Sequence, residues 1–272
     1  SKYTTDNATS KLRELLEERI FPGPKSTNLI QDFAQISNTQ EDSIILDFFA
    51  GSASTAQAVL DLNTQDQGNR KFIMVQLPEK SPEDSEAFKA GYKNVADIGK
   101  ERIRRVITKL NDEDKGKLNL EDPIKQDRGF KVLKLDKSNF KEWRALSPET
   151  PQDEIIKQME LSLDKVEPKA TEEDMLYEII IKAGLSPTQP IAKLELAGTP
   201  VYALEDGLFM VCLAPKVTQE LFDEVSAKKP AKFICLDSAF EGNDKLKANA
   251  LLTFEARNTG KDDASQIKFE VI

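Results

Sequence analysis

Histidine is absent from all 272 residues, which sets aside imidazole-based nucleophilic, general-base and zinc chemistry. Cysteine is scarce. The two present, Cys212 and Cys235, each fall within an apolar, strand-like run and read as small core residues rather than a disulfide or metal pair. No apolar run approaches the roughly 20 residues of a membrane span. The first eleven residues, SKYTTDNATSK, are polar and unlike a signal sequence, so a soluble, cytoplasmic protein is expected. Positive charge is also in deficit, with 38 Lys and Arg against 47 Asp and Glu and a formal net charge of −9. Phosphate neutralisation supplies most non-specific nucleic-acid affinity, so a self-sufficient DNA binder is not expected. What remains, 39% hydrophobic and 31% charged residues without repeat or low-complexity segment, describes a globular chain with room for one large or two modest domains.

The chain is organised around Ser43 to Leu62, SIILDFFAGSASTAQAVLDL. An apolar run, Ile44 to Leu46 with Phe48 and Phe49 beyond Asp47, meets a turn of small residues, Ala50-Gly51-Ser52-Ala53, and then a helix-forming run with Ala56, Ala58, Val59 and Leu62. This is strand, tight turn, helix. A strand apolar on both faces is expected as a central parallel strand covered by helices, and ligands bind at the carboxyl ends of such strands. The turn lacks bulk, so a ligand can approach the backbone and the N–H groups of the helix start; a purely structural turn accounts for the same residues. A second buried strand, Phe72 to Leu77, follows and ends at Pro78-Glu79. A ribose is often held by a polar or acidic side chain about 20 residues after a glycine turn, and Gln76 and Glu79 lie near that distance.

Ahead of this unit, Leu12, Leu15, Leu16 and Ile20 share a helical face, capped by Ser10 or Thr9 and stopped at Phe21-Pro22-Gly23-Pro24, and a second helix runs from Leu29 to Ile36. After it, helical spacing spans Tyr92 to Val106. The basic residues there (Lys100, Arg102, Arg104, Arg105) suit a solvated face better than phosphate contact. A charged loop is expected at Asn111 to Lys117, and a strand at Gly129 to Leu135, with Phe140 and Trp143 anchoring its return. Ser147 to Pro151 reads as a boundary, dividing the chain into 1–148 and 149–272. Beyond it are expected a short helix at Ile155 to Leu163, a helix at Asp174 to Gly184, and strands at Ile191 to Leu196, Val201 to Leu204 and Leu208 to Leu213 with a hairpin turn at Asp206-Gly207. A helix at Thr218 to Ala227, a strand at Lys232 to Leu236 and a helix at Lys245 to Phe254 complete a small second α/β domain. Asp237, Asn243, Asp244 and Lys245 after a strand end read as capping and loop residues rather than a metal or catalytic cluster.

DFFAGSASTAQAVLDLN, GNRKFIMVQLPE and GYKNVADIGKERIRRV, in this order, resemble the S-adenosylmethionine-binding half of type III restriction-modification methyltransferase (Mod) subunits, which methylate adenine N6 in DNA. EEDMLYEIIIKAGL and FICLDSAFEGNDKLKANALLTFE resemble their carboxyl-terminal domain. The resemblance implies a partial Rossmann-like, S-adenosylmethionine-dependent sheet followed by a smaller α/β domain. It places Phe21, Pro24 and Lys25 in the family's FxxPKP segment, with Ser26 where proline is usual. It puts Asp47, Phe49, Ala50, Gly51 and Ser52 on the methionine side of the cofactor, and Gln76 or Glu79 at its ribose. Ala53 and Ser54 stand where FFAGSGTTA has Gly and Thr.

The family's Asp-Pro-Pro-Tyr segment, which accepts hydrogen bonds from the target amine, has no counterpart: the chain contains no Pro-Pro dipeptide, and Asp122-Pro123 continues as Ile124-Lys125. No catalytic residue and no metal ligand is therefore assigned. In the family's motif order the catalytic segment and target-recognition domain come first, so the chain reads as a carboxyl-terminal fragment, inactive alone. DNA would be met through the full-length protein, and a homodimer and the restriction (Res) subunit are implied partners, with no membrane. An alternative is a non-catalytic module for dimerisation or Res binding; a small-molecule methyltransferase is disfavoured because no complete catalytic site is visible.

Overall fold

The computed structural model describes residues 2–115, 126–141, 151, 166–262 and 265–272. They form two compact units, Ser1–Phe130 and Lys131–Ile272. The expected boundary at 148, the helix at Ile155 to Leu163 and Trp143 lie outside the described residues. The fold is α/β.

In the first unit, helix α1 (Thr5–Leu16) begins well before the apolar face of Leu12 and Leu16, because the Thr4 side chain caps it at the Asn7 N–H. The cap is thus Thr4, not Ser10 or Thr9. Helix α2 (Thr27–Ile36) is capped by Ser26. Strand β1 (Ile44–Asp47), helix α3 (Ser54–Asp66) and strand β2 (Lys71–Met74) form a βαβ unit with the strands parallel, Ile45 opposite Phe72 and Asp47 opposite Met74. After a short helix α4 (Glu86–Lys89), α5 runs from Val95 to Lys115, so the charged loop expected from Asn111 is helical as far as Lys115. Ala53, Ala56 and Leu60 pack with Ile103, Val106 and Leu110 to bind α3 to α5, and Phe72 and Met74 close that core from the sheet.

The other face of the same sheet is open. Ile44, Leu46, Phe48, Ile73, Val75 and Leu77 are all exposed, against the expectation of a strand covered by helices on both faces. The physical reason is one of number: among the described residues, two paired strands with the α3–α5 core on one side leave the second face uncovered. Gly129 to Leu135 likewise alternates in sequence but joins no sheet, although the two-stranded sheet keeps an outer edge on each strand; alternation alone does not pair a segment.

The second unit holds a five-stranded sheet in the order β3-β4-β5-β6-β7. Strands β3 (Ala192–Leu196), β4 (Thr199–Leu204) and β5 (Phe209–Cys212) are antiparallel neighbours. Strands β6 (Lys232–Cys235) and β7 (Lys268–Val271) add in parallel. The 205–207 turn carries three positive φ angles, 49°, 55° and 90°, and closes the expected hairpin. Helices α6 (Glu172–Lys182), α7 (Gln219–Lys228) and α8 (Asp244–Asn258) supply the rest. Cys212 and Cys235 are register partners on β5 and β6, both fully buried, and burial pushes both thiols up, as suits inert core residues.

Glu178 of α6 holds the loop at Ser138 and Asn139. It accepts from Ser138 Oγ at 2.6 Å, from the Asn139 N–H at 2.7 Å and from Asn139 Nδ2 at 2.9 Å, and pairs with Lys182 at 2.8 Å. Burial alone raises the carboxyl, but the bonds from Lys182, Ser138 and Asn139 outweigh it and hold its pKa at about 2. A depressed carboxyl stabilises the fold above its unfolded pKa, and that contribution is lost as pH falls through the folded value. Glu178→Gln is therefore expected to cost on the order of 2 kcal/mol at pH 7, measured by urea unfolding. The gap from the native chain should narrow between roughly pH 4.5 and pH 2.

Candidate cofactor site

The carboxyl ends of β1 and β2 meet at the small-residue turn. Backbone bonds carry the pairing past the strands: the Val75 N–H donates to Asp47 O at 2.8 Å, and the Ala50 N–H to Val75 O at 3.1 Å. Gly51 takes φ 51° and Ala53 φ 56°, both left-handed. For Ala53 this conformation costs about 1 kcal/mol that glycine would avoid, and it stands where FFAGSGTTA has glycine. The turn delivers the chain into α3 with no side-chain cap on its first N–H groups, leaving the positive end of a 13-residue helix at the site.

The residues expected at the cofactor are in different states, and the contacts bring Phe21, Asp47, Phe49, Gly51 and Gln76 together at the turn. Ala50 and Ser52 are buried in the turn, and Phe49, 87% exposed, projects from its rim. Phe21 comes from the loop after α1: a Cβ added to Gly51 would lie 3.4 Å from its Cζ, so the two segments close on the same spot. Pro24 is buried, whereas Lys25 is exposed. Asp47 is engaged by its own turn, accepting from the Phe49 N–H at 3.0 Å and from Thr55 Oγ1 at 2.6 Å. Gln76 reaches back across the strand ends to accept the Gly51 N–H at 2.7 Å. Glu79 is exposed, and its backbone carbonyl accepts from the Val95 N–H. A small-residue cradle with a glycine backbone in reach suits a ligand that approaches the main chain, and the Gly51 N–H already donates to a side-chain oxygen, Gln76 Oε1.

Sequence reasoning missed Arg102. It is 2% exposed, not on a solvated face. Its Nη1 donates to Ser52 O (3.2 Å), Ser52 Oγ (2.9 Å) and Ser54 Oγ (2.7 Å), and its Nε to Gln57 Oε1 (2.8 Å). Burial lowers the guanidinium to about 10, opposed by the charge of Asp61, so it stays cationic at neutral pH. The signal was available: Ile98, Arg102, Ile103 and Val106 share one helical spacing, and an arginine among buried positions needs acceptors. The five other basic residues of this helix form ion pairs, Lys100 with Asp97, Arg104 with Glu101, Arg105 with Glu101 and Glu17, Lys109 with Glu113, and Lys115 with Asp112.

A separate apolar groove of about 210 Å³ lies between α2, α3 and β1, lined by Ile30, Phe33, Ala34, Ile45, Val59 and Leu62; it does not include the turn. Among the described residues there is no cluster of metal-binding side chains, and no helix is long and apolar enough to cross a membrane.

Residues 1–88, which contain this strand, turn and helix, match the DNA methylase family. The chain is also similar to type III Mod subunits. It is 29% identical over 255 residues to the EcoP15I Mod subunit of Escherichia coli, a match covering 90% of this chain and 36% of that protein. Identity rises to 44% over 108 residues with the EcoPI Mod subunit of Escherichia phage P1, covering 40% of this chain and 17% of that subunit. The type II methyltransferase M.KpnI of Klebsiella pneumoniae is 32% identical over 112 residues, covering 41% of this chain and 27% of M.KpnI. The chain thus spans little more than a third, or less, of the relatives it matches.

Proposed function

We propose that the first unit is the cofactor-binding half of a DNA adenine-N6 methyltransferase and that it holds S-adenosylmethionine at the 50–53 turn. The observation that carries this reading is the turn itself, a backbone cradle of small residues between the ends of two parallel strands and an uncapped helix start. Bound S-adenosylmethionine supplies an activated methyl group. This chain's part is to seat it: Gly51 and Ser52 present backbone, Phe21 and Phe49 flank the cradle, Lys25 from the same loop as Phe21 adds a cation, and Gln76 or Glu79 faces the ribose. Because Gln76 Oε1 occupies the Gly51 N–H, a ligand that takes this donor must first release Gln76. The acceptor for the target amine comes from polypeptide outside these 272 residues, so the chain alone does not methylate. Calorimetric titration with S-adenosylmethionine tests the reading: saturable one-site binding supports it, and methylation of adenine in DNA by the chain alone overturns the division of labour.

A second role is supported by the uncovered sheet face. An apolar surface made of Ile44, Leu46, Phe48, Ile73, Val75 and Leu77 is of the kind that marks an interaction site. We assign assembly to the chain as well, in a homodimer and with the Res subunit, within a cytoplasmic complex that meets DNA through the whole protein. Sedimentation across a concentration series is expected to show reversible self-association; a strict monomer at every concentration would remove dimerisation from the chain's functions.

A further inference from the structure

We infer that Arg102 is a positioning residue for the amino-acid end of the cofactor, fixing the 52–54 turn in the shape that receives it; this rests on the cofactor reading above. Four hydrogen bonds of its guanidinium go to one short segment: the Ser52 carbonyl, the hydroxyls of Ser52 and Ser54, and the Gln57 amide. These acceptors are all neutral, and Asp61 adds only the partial offset of its charge. Burying a cation among such acceptors costs free energy that a hydrophobic residue would not incur, so stability alone does not account for arginine here.

The segment it grips is one that needs holding. Ala53, between the two gripped serines, sits in the left-handed region at φ 56° without glycine's freedom, and no side chain caps the helix start. One turn earlier on α5, Gly99 allows the helix backbone to approach: a Cβ there would lie 3.2 Å from Gly51 O and 3.4 Å from Ala53 Cβ. Gly99 and Arg102 therefore act as a pair, the first permitting contact with the turn and the second using it. The guanidinium also places a full positive charge beneath the positive end of α3, and the two fields add where they favour a carboxylate. The zwitterionic amino-acid end of S-adenosylmethionine carries one; its nucleoside end does not.

The test exploits that difference. The 272-residue chain and R102K are titrated calorimetrically with S-adenosylmethionine and with 5′-methylthioadenosine, which keeps the nucleoside and its methylated sulfur, as an uncharged thioether, and lacks the amino-acid group. Lysine keeps the charge but not the fork that reaches several acceptors at once. R102K is expected to weaken S-adenosylmethionine binding about tenfold or more and methylthioadenosine less than about twofold, on the scale of one or two lost charge-assisted hydrogen bonds. Equal loss for both ligands, or no loss for either, overturns the inference and leaves the cofactor reading intact. A native chain that binds neither ligand overturns the cofactor reading, and this inference with it. If R102K lacks a cooperative thermal transition, Ser52→Ala and Ser54→Ala, each removing one acceptor, carry the same comparison and the same outcomes.

Discussion

Gly51→Leu is expected to abolish S-adenosylmethionine binding while leaving the chain folded. Three effects act together at this position. The residue sits at φ 51°, where a side chain costs on the order of 1 kcal/mol. Its Cβ would stand 3.4 Å from Phe21 Cζ, so the rest of a leucine side chain must either push the ring aside or project into the cradle. Its N–H is the donor that Gln76 now holds and that a ligand would claim. Strain of this size is a modest fraction of a typical folding free energy of about 5–15 kcal/mol, and the turn lies at the edge of the first unit's core, so the fold survives. A ligand that depends on backbone approach does not tolerate the added bulk, and a loss of at least a hundredfold is expected, or about 2.7 kcal/mol. Calorimetric titration, with circular dichroism to verify folding, checks it. A folded Gly51→Leu chain that titrates like the native one would move the cofactor away from this turn.

The parts of this site that could be read from the sequence are those where one short stretch contains both partners. Ile44 to Leu62 carries its own strand, turn and helix, and Asn69 to Met74 returns beside it in parallel register, because an apolar run, a small-residue turn and a helical run leave little choice of local structure. Arg102 was not legible in this way. Its acceptors lie 45 to 50 positions earlier in the chain, and charge alone pointed to solvent. The open sheet face was misread for a related reason: Ile44, Leu46 and Ile73 state that a cover is wanted, but not whether this chain contains it. Strand β7 went unrecognised although Lys268, Phe269, Glu270 and Val271 alternate, since four residues at a sheet edge make a short pattern. In Gly129 to Leu135 the converse occurred, with alternation present and no pairing to either sheet. Local pattern fixes the shape of a segment; the neighbour that gives it a role is set by the fold.

The second unit offers the larger effect on stability. Phe222 on α7 is fully buried and stands at the centre of a ring cluster, stacked on Phe240 at 5.7 Å and edge-on to Phe233, Phe254 and Phe269 at 6.3, 6.3 and 5.8 Å. Those partners come from the segment after β6, from β6, from α8 and from β7, so one side chain ties elements that meet only late in the chain. Truncation removes the transfer free energy of the ring and leaves a cavity that rings held by three other strands and helices cannot collapse to fill. Phe222→Ala is expected to cost about 3–5 kcal/mol, read from urea unfolding followed by circular dichroism. Leu252→Ala on α8, where the side chain is 60% exposed, should stay within about 0.5 kcal/mol of the native chain. The contrast separates packing from composition, because both substitutions delete a large apolar group. A cost at Phe222 as small as that at Leu252 would mean that the rings are loosely gathered rather than interlocked, and that β7 and α8 are held by the sheet ladder instead of by the core they share with α7.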